Sequence, residues 1–566
     1  MGPGRPIAVI VIVSIAAFVP MLVAGLANGD NIVFNLAWEQ AFSKQLFAGE
    51  GYPRWLSDLN CGAGSAVFYF YAPLPFYVLA AVRGVLPGDV AGTTVLGVGQ
   101  WVLLLASGLA LFALAKRRTS AWPAAIAACL YMLLPYHYEY DLWRRQAIGE
   151  FAAFAVMPII VLFATSESMH RRAIAGLAVS YGLLVFCHLP TALLFSIALG
   201  AILLLRASRH RSVHVLVGQG AGIGLGLMLA AIYLVPALLT QEFVSIERLW
   251  NAYHTYETWL LFDGKSAPNA LFEAGLARNL ISCTAAVVMC AVGASRGSWR
   301  RAVAELAPWL LVTAMAVVLT TGLSTPIWAA AKTLQKVQFP WRFFAILDLA
   351  VAMSFAVALH ALLQTRAKLA IAGCIGAAIA IAIGMSGYRQ MGVRHESRRH
   401  PNEIATRDRD VAGGFCCTYE YVPRGFKHDI FAYRPTLAKL PRVHVEKGDA
   451  KVEIDTWQPR HIRLDVDARE PSVVRIKQFF YPSWRARVDD GTSTPNELKV
   501  AATPGSALLT VAVPAGKNSV DVVLQPLPEE RYGLALSGVG LLGVLLLVGW
   551  RRRKPVASTT RRQRSC

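Results

Sequence analysis

Carboxylates at the ends of membrane-length apolar stretches are the residues of this chain best suited to do chemistry. Asp30 follows the first apolar stretch, in "ANGDNIVFNLAWEQAF" (27–42), which also contains Glu39, and Asp141 lies in "HYEYDLWRRQAIGE" (137–150). A carboxylate at the edge of a bilayer is costly to desolvate and usually faces a cavity. These acids are therefore candidates for a site, and the alternative is that they are solvated loop residues. The same reasoning makes candidates of Asp58, Glu139 and Glu150.

Basic and imidazole side chains at similar boundaries are candidates for binding an anion. Arg144 and Arg145 follow Asp141, His188 lies in "CHLP" (187–190), and Arg342 lies in "VQFPWRFF" (337–344). A guanidinium group can bind phosphate oxygens in a bidentate manner. The alternative for Arg342 is a snorkelling anchor beside an aromatic residue, and for His188 a structural role in a turn.

The composition indicates an integral membrane protein. The mean hydropathy is +0.45, and only 16% of the 566 residues are charged. The net charge of +20 lies in short basic clusters between apolar stretches, which is typical of cytosolic loops and not of a nucleic-acid surface. No nucleic-acid partner is therefore expected. The clusters are 116–118, 170–172, 206–211, 295–301, 366–368 and 551–554.

The apolar stretches predict about twelve transmembrane helices. Each stretch is close to the length of about 17 to 25 residues that crosses the hydrocarbon core. With every basic cluster in the cytosol, both termini lie inside, and the first span is expected to be a retained anchor. The predicted spans are 7–27, 93–115, 121–136, 148–166, 173–188, 191–206, 213–239, 279–294, 303–321, 341–362, 368–386 and 531–550.

One apolar stretch, "FYFYAPLPFYVLAAV" (68–82), is predicted to be an interfacial or re-entrant helix. As a span it would move every later basic cluster to the outer face. The first outer loop is then 28–92, which contains Asp30. The other outer segments are 137–150, 187–190, 241–279 and 324–342.

Between about 387 and 530 the pattern changes to alternating runs such as "HIRLDVDA" and "SVDVVLQP", separated by turn sequences. This pattern predicts a small extracytoplasmic β-sandwich. The predicted fold class is thus an α-helical polytopic membrane protein with a β-sandwich near the C-terminus. The predicted domains are a transmembrane domain (1–386), a β-rich domain (387–530), and a final helix with a basic cytosolic tail (531–566).

Several motifs resemble known families. The first span, "GDNIVFNLAWEQAF", "GEGYPRWL", "FYFYAPLPFYVLAA" and a second span ending in "KRR" resemble the opening of the GT-C superfamily of membrane glycosyltransferases. More closely, "HLPTALL", "VQFPWRFF", "YEYVP", "QFFYPSWRARVDDG" and "VPAGKNSV" resemble the bacterial membrane proteins labelled 6-pyruvoyl-tetrahydropterin synthase-related, and their YfhO-like relatives. That label implies no pterin chemistry.

The GT-C resemblance implies inverting transfer of a sugar from a polyprenyl-phosphate donor to a glycan, glycolipid or protein acceptor. The transfer would take place on the outer face of a bacterial cytoplasmic membrane. The resemblance further implies that Asp30 is the general base, because a weakly acidic hydroxyl needs a carboxylate within reach as it attacks. The leaving phosphate would be bound by Arg144, Arg145, His188 or Arg342.

The remaining acids have less defined roles under this resemblance. Asp141 matches a second acidic position that orients the acceptor or binds a divalent cation together with Asp30, and Glu39 is a further candidate for substrate binding. Relatives often carry His-Asp and another His in the opening motif, where this chain has Gly29, Asp30 and Asn35. A metal site built from those histidines is therefore not expected.

The alternative function is a non-catalytic one, as a lipid or glycan transporter or an assembly scaffold. A transporter should carry ionisable groups near the bilayer midplane and broken helices. Inside the predicted spans such groups are few, Asp348 and His360 among them. The candidate acids gather on one face, which favours one-sided chemistry.

Overall fold

The structure, a computed structural model, is mostly helical and has a β-sheet region near the C-terminus. It describes residues 4–26, 29–167, 170–211, 213–250, 252–263, 270–293, 299–363, 419–488 and 496–549. The predicted span 368–386 and the start of the predicted β-rich domain, 387–418, lie outside the described residues.

The α-helices are α1 (Gly4–Ala24), α2 (Ile32–Phe47), α3 (Leu59–Gly62), α4 (Val67–Phe70), α5 (Leu74–Val85), α6 (Gly92–Ala115), α7 (Ala121–Leu133), α8 (Ile148–Ala164), α9 (Arg171–Cys187), α10 (Leu189–His210), α11 (His214–Leu229), α12 (Ala231–Leu239), α13 (Ala270–Gly293), α14 (Trp299–Thr320), α15 (Thr325–Ala330), α16 (Lys332–Gln335), α17 (Phe344–Leu362), α18 (Ile430–Lys439) and α19 (Pro528–Gly549). A π-helix spans Tyr136–Arg145, and short 3₁₀ turns include Gln241–Phe243, Ile246–Leu249, Ala252–His254, Tyr256–Trp259, Gly322–Ser324 and Pro340–Phe343.

Seven helices in the described part of the chain are long and apolar enough to cross a membrane. They are found in α1, α6, α10, α13, α14, α17 and α19, and each corresponds to a predicted span. The consecutive helices α11 and α12 pass the same test together, but they are bent by 70° at their junction. The predicted span 213–239 is therefore broken.

Three predicted spans form shorter helices. Helix α7 has 13 residues, and α8 and α9 have 17 residues each. At 1.5 Å per residue, they measure roughly 20 to 25 Å, which is less than the ~30 Å hydrocarbon core. The predicted number of twelve spans is therefore not confirmed by helix length.

The segment 68–82 divides at a proline-rich break. Helix α4 ends at Phe70, and α5 begins at Leu74 and has 12 residues. A helix of that length is only about 18 Å long. It is too short to cross the membrane alone, as the prediction of an interfacial or re-entrant helix requires.

At one end of the helical body, arginines of two basic clusters make polar contacts with neighbouring helix ends. The Arg118 guanidinium lies 3.4 Å from the Glu305 carboxylate. Arg209 donates to the carbonyl of Ala304 over 2.7 Å, and Arg206 donates to the carbonyl of Ser166 over 2.6 Å. The ends of α6, α8 and α10 and the start of α14 therefore lie close together.

The β-sheet region near the C-terminus is confirmed. Its strands are β1 (Val443–Lys447), β2 (Ala450–Gln458), β3 (His461–Ala468), β4 (Ser472–Phe479), β5 (Trp484–Val488), β6 (Asn496–Leu498), β7 (Val500–Ala502), β8 (Leu508–Val513) and β9 (Gly516–Leu524). All pairs are antiparallel, and the strand orders are β1-β4-β8-β7 and β2-β3-β9-β5-β6. Along β3, Ile462, Leu464 and Val466 are buried in the core that both sheets share.

The first outer loop packs into the core of the β-sheet region. Trp55, which is only 1% exposed, packs against Tyr481 and Trp484 with ring centroids 5.7 and 6.2 Å apart. Its indole donates to the Gln478 side chain over 2.9 Å. Gly64, with a φ of +81°, lies so close to Trp55 that a Cβ atom would be 2.5 Å from the indole. The loop and the sheets therefore share one side of the molecule.

The same loop also binds the last helix. Glu530 in α19 accepts hydrogen bonds from Tyr69 over 2.8 Å and from Arg54 over 3.1 Å. Arg54 donates to the Ile232 carbonyl in α12 as well. The first outer loop thus connects the β-sheet region, α12 and α19 through buried polar contacts.

Candidate active site

Asp30 is positioned by backbone contacts with the end of the π-helix. Its N–H donates to the carbonyl of Arg144 over 2.9 Å, and the N–H of Asn31 donates to the carbonyl of Arg145 over 3.0 Å. Asn35, one turn into α2, donates its side-chain amide to the carbonyl of Gln146 over 2.7 Å. The Asp30 residue itself is exposed.

Gly29 makes this close approach possible. A Cβ atom at Gly29 would lie 2.7 Å from Cγ of Gln146 and 2.9 Å from the carbonyl oxygen of Arg144. Gln146 ends the π-helix in the left-handed conformation, with φ 52° and ψ 44°. The histidine that relatives often carry at the position of Gly29 would not fit this packing.

Glu150, at the start of α8, organises a buried cluster of charges. It is 0% exposed, and its carboxylate accepts hydrogen bonds from Arg145 and from the Tyr136 hydroxyl, each over 2.7 Å. Nε of Arg342 lies 3.6 Å from the same carboxylate. Arg145 also donates to Asp141 over 2.9 Å. The two arginines are therefore held side by side by one shared carboxylate.

The arginines are further held by aromatic rings and by the chain turn before α17. The Arg145 guanidinium lies 4.6 Å from the ring centroid of Trp341, and that of Arg342 lies 4.9 Å from the Phe339 ring. Arg342 also donates to the Val337 carbonyl over 2.7 Å. Such contacts reduce the number of conformations of long side chains, and so they preorganise both cations.

His188 lies at the junction of α9 and α10, where the backbone is extended with a φ of −164°. Its Nδ1 atom is 2.8 Å from the hydroxyl of Thr191. Gly149 packs against this junction, because a Cβ atom there would lie 2.8 Å from the Cys187 carbonyl oxygen and 3.5 Å from Cδ2 of His188. The imidazole therefore lies beside the start of α8, next to Glu150.

One cavity of about 690 Å³ brings these elements together. Its volume falls within the range of roughly 300 to 1,000 Å³ that is typical of ligand sites. The charged and imidazole residues that line it are Asp30, Arg145, Glu150, His188, His254, Lys336, Arg342 and Glu420.

Aromatic residues form much of the remaining cavity wall. Trp38 packs edge-on against Tyr71, with centroids 4.8 Å apart, and Phe70 is stacked on Tyr421 at 5.9 Å. Burial raises the pKa of Tyr71 to about 12, so its phenol remains a hydrogen-bond donor at neutral pH. Burial also raises the pKa of Glu420 to about 7.

Four of the sequence-predicted site residues meet at the cavity: Asp30, Arg145, His188 and Arg342. The structure does not bring the other three to it. Glu39 is fully buried and forms a bidentate ion pair with Arg83, with both distances 2.7 Å. Asp141 is buried against Arg145, and Arg144 is exposed and supplies its carbonyl to Asp30.

The suggested divalent cation on Asp30 and Asp141 does not fit this arrangement, because Asp141 is committed to a guanidinium group. Among the residues that the structure describes, no group of three or more His, Cys, Asp or Glu side chains could hold a metal ion.

The sequence profile of one protein family matches residues 68–391, which is more than half of the chain. Its description is "6-pyruvoyl-tetrahydropterin synthase related domain; membrane protein". The chain belongs to this family. The region that matches the 6-pyruvoyl-tetrahydropterin synthase-related profile includes the π-helix, Glu150, His188 and Arg342, but neither Asp30 nor Glu420. A comparison with curated proteins finds no match.

Sequence reasoning named Glu150 only among the candidate carboxylates at the membrane edge and gave it no role, and it did not name Glu420. The available signal for Glu150 was a carboxylate at the start of a strongly apolar helix, which is a costly position unless the charge is paired. For Glu420 the signal was its place within the "YEYVP" motif. Neither signal reveals which cations or rings lie opposite, because those partners come from distant segments.

Proposed function

We propose that this membrane protein is a GT-C-type glycosyltransferase. It moves a sugar from a polyprenyl-phosphate donor to an extracytoplasmic glycan, glycolipid or protein. The observation that carries the proposal is one cavity that combines an exposed carboxylate, Asp30, with two preorganised arginines and a histidine. The proposal places the cavity on the outer face of a bacterial cytoplasmic membrane.

Asp30 acts as the general base. The acceptor hydroxyl oxygen attacks the anomeric carbon, the bond from that carbon to the phosphate oxygen breaks, and the hydroxyl proton moves to the Asp30 carboxylate. The backbone contacts of Asp30 with the π-helix support this role, because they fix the position of the carboxylate beside the arginine cluster. General bases contribute about 10²- to 10⁴-fold to reaction rates.

Arg145 and Arg342 bind the phosphate. Both Glu150 and Asp141 accept hydrogen bonds from Arg145, whereas Nε of Arg342 lies 3.6 Å from Glu150, beyond hydrogen-bond distance. Arg342 therefore keeps donor capacity for an anionic ligand in the cavity. Charge-assisted contacts of this kind stabilise the negative charge that develops on a departing phosphate. His188 supplies a further polar contact on the same wall.

The apolar part of the cavity suits an isoprenoid chain. Leu189 and Leu193 of α10 and Leu234 and Leu238 of α12 line it. Leu238 is 54% exposed although it lines the cavity, so the cavity is open at this apolar wall. A lipid-linked donor can then keep its chain in the bilayer while its phosphate reaches the arginines.

The rival function is transport of a lipid or glycan, and the 70° break between α11 and α12 favours it, because broken helices are typical of transporters. Lipid extracts of a strain lacking the gene distinguish the two. A glycosyltransferase deletion should accumulate a polyprenyl-phosphate-linked sugar, and purified wild-type protein should consume that lipid and release polyprenyl phosphate. A protein that moves the lipid between leaflets without cleaving it would be a transporter.

A further inference from the structure

The "YEYVP" motif (419–423) reaches the cavity from outside the helical body. It lies between α17 and α18. Pro423 at its end forms an antiparallel bridge with Val244, in the segment after α12. Ser245 donates its N–H to the Val422 carbonyl over 3.0 Å, and Arg424 donates to the Phe243 carbonyl over 3.2 Å. These bonds fix the backbone beside Glu420, whose half-buried side chain lines the cavity.

Aromatic rings line the same cavity as this carboxylate. Tyr421 is stacked on Phe70 with an interplanar angle of 6°, and its centroid is 6.3 Å from that of Trp38. Trp38 in turn contacts Tyr71. Aromatic faces carry partial negative charge and attract the weakly positive C–H groups of a sugar ring. Precisely placed polar groups among such rings provide specificity.

Glu420 has the wrong charge for phosphate and the right chemistry for hydroxyl groups. Burial raises the pKa of Glu420 to about 7, so above that pH its carboxylate is ionised. An ionised carboxylate only accepts hydrogen bonds, and it therefore repels a phosphate but pairs with several hydroxyls. The cations of the cavity, by contrast, come from other elements: Arg145 from the π-helix, Lys336 from the end of α16 and Arg342 from the turn before α17.

We propose that Glu420 and the rings of Trp38, Phe70, Tyr71 and Tyr421 form a sugar subsite, in which Glu420 accepts hydrogen bonds from the hydroxyl groups of the transferred sugar. This inference rests on the proposed function and deepens it, because it names the residue that recognises the sugar as distinct from the phosphate. Glu420 is then a specificity residue and not the general base.

The test separates the sugar from the phosphate with two kinds of probe. Full-length protein in lipid nanodiscs is titrated at about pH 8.5, where Glu420 is ionised, with farnesyl phosphate and with a panel of farnesyl-phosphoryl hexoses and pentoses. The quenching of tryptophan fluorescence reports binding. The wild-type protein should bind one or more glycosylated probes more tightly than farnesyl phosphate. The variants are Glu420→Gln, Arg342→Ala and, as a matched control, Glu470→Gln, which changes an exposed carboxylate in the turn between β3 and β4.

Glu420→Gln should lose about 10- to 100-fold in affinity for the preferred glycosylated probe, the range expected for losing hydrogen bonds to a charged group. Its affinity for farnesyl phosphate should stay within about twofold, which also shows that the variant is folded. Arg342→Ala should weaken both kinds of probe, and Glu470→Gln neither. An unchanged preference for the glycosylated probe in Glu420→Gln, or no preference in the wild-type protein, would overturn the sugar subsite. Failure of the wild-type protein to bind any probe would instead overturn the proposed function.

Discussion

Gly29 determines where the Asp30 carboxylate lies. Its Cα atom packs against the backbone at the end of the π-helix, and an added Cβ atom would come within 2.9 Å of the Arg144 carbonyl oxygen. That oxygen also accepts the hydrogen bond from Asp30, so it cannot move without moving the carboxylate. The absence of a side chain at Gly29 is thus required for the position of Asp30.

Gly29→Ala should therefore displace Asp30 and lower activity. A misplacement of about 1 Å can cost on the order of 10²-fold in rate. The measurement is the rate at which membranes carrying the variant consume the accumulated lipid-linked sugar. Gly51→Ala is the matched control, because nothing lies within 4 Å of a Cβ atom there and the same outer loop carries it. Equal rates for both variants would contradict the role given to Gly29.

The π-helix is the element that brings most of the site together. Sequence analysis identified 137–150 only as an outer segment, and it could not predict a π-helix, which is rare and has no simple periodic signal. Asp141 and Arg145 were both candidates from the sequence, and of the two only Arg145 lines the cavity. Their partners Glu150 and Arg342 could not be assigned from the sequence, because that pairing depends on how α8 and the turn before α17 pack.

Helices and strands with strong periodicity were more predictable. The apolar stretches at α1, α6 and α17 and the alternating run of β3 were each recognised from local sequence alone. The roles of Glu39 and of the first outer loop were not predictable, since Arg83 and the β-sheet region supply their contacts over long sequence separations. The local sequence pattern thus predicted the helices and strands. The partners of their charged side chains depend on tertiary packing.

Trp55 anchors the first outer loop in the core of the β-sheet region. Trp55→Ala removes a buried indole and its hydrogen bond to Gln478. Such a change costs about 3 to 5 kcal/mol, so the apparent melting temperature should fall and protease should cut between the sheets and the helices more readily. Trp457→Ala, at a half-buried ring on β2, should have the smaller effect. An equal fall in melting temperature and equal protease sensitivity in the two variants would show that the loop does not anchor the sheets.

The whole molecule has two chemically different ends. Basic residues lie at one end, where Arg118 pairs with Glu305 and Arg209 donates to the Ala304 carbonyl. The other end carries the cavity, the first outer loop and the β-sheet region. Such a distribution fits a protein that works on one face of a membrane.

Reporter fusions test this orientation. Fusions after residues 118, 211 and 301 should report the cytosol, because basic loops are retained there. Fusions near 60, 260 and 450 should report the outer compartment. The contact between Trp55 and Gln478 requires the sites near 60 and 450 to agree with each other. An outer signal after 118 would restore 68–82 as a span and reverse the later assignments.

The most direct test of the proposed glycosyl transfer is Asp30→Asn in the otherwise intact protein. The amide keeps the size of the carboxylate and the backbone contacts with the π-helix, but it cannot take a proton from the acceptor. Consumption of the accumulated lipid-linked sugar should fall by about 10²- to 10⁴-fold, which is roughly 3 to 5 kcal/mol of transition-state stabilisation, at a normal protein level. Asp58→Asn, at an exposed carboxylate paired with Lys44 in the same loop, should retain the wild-type rate. A wild-type rate in Asp30→Asn would contradict the account, because the cavity would then lack its proposed base.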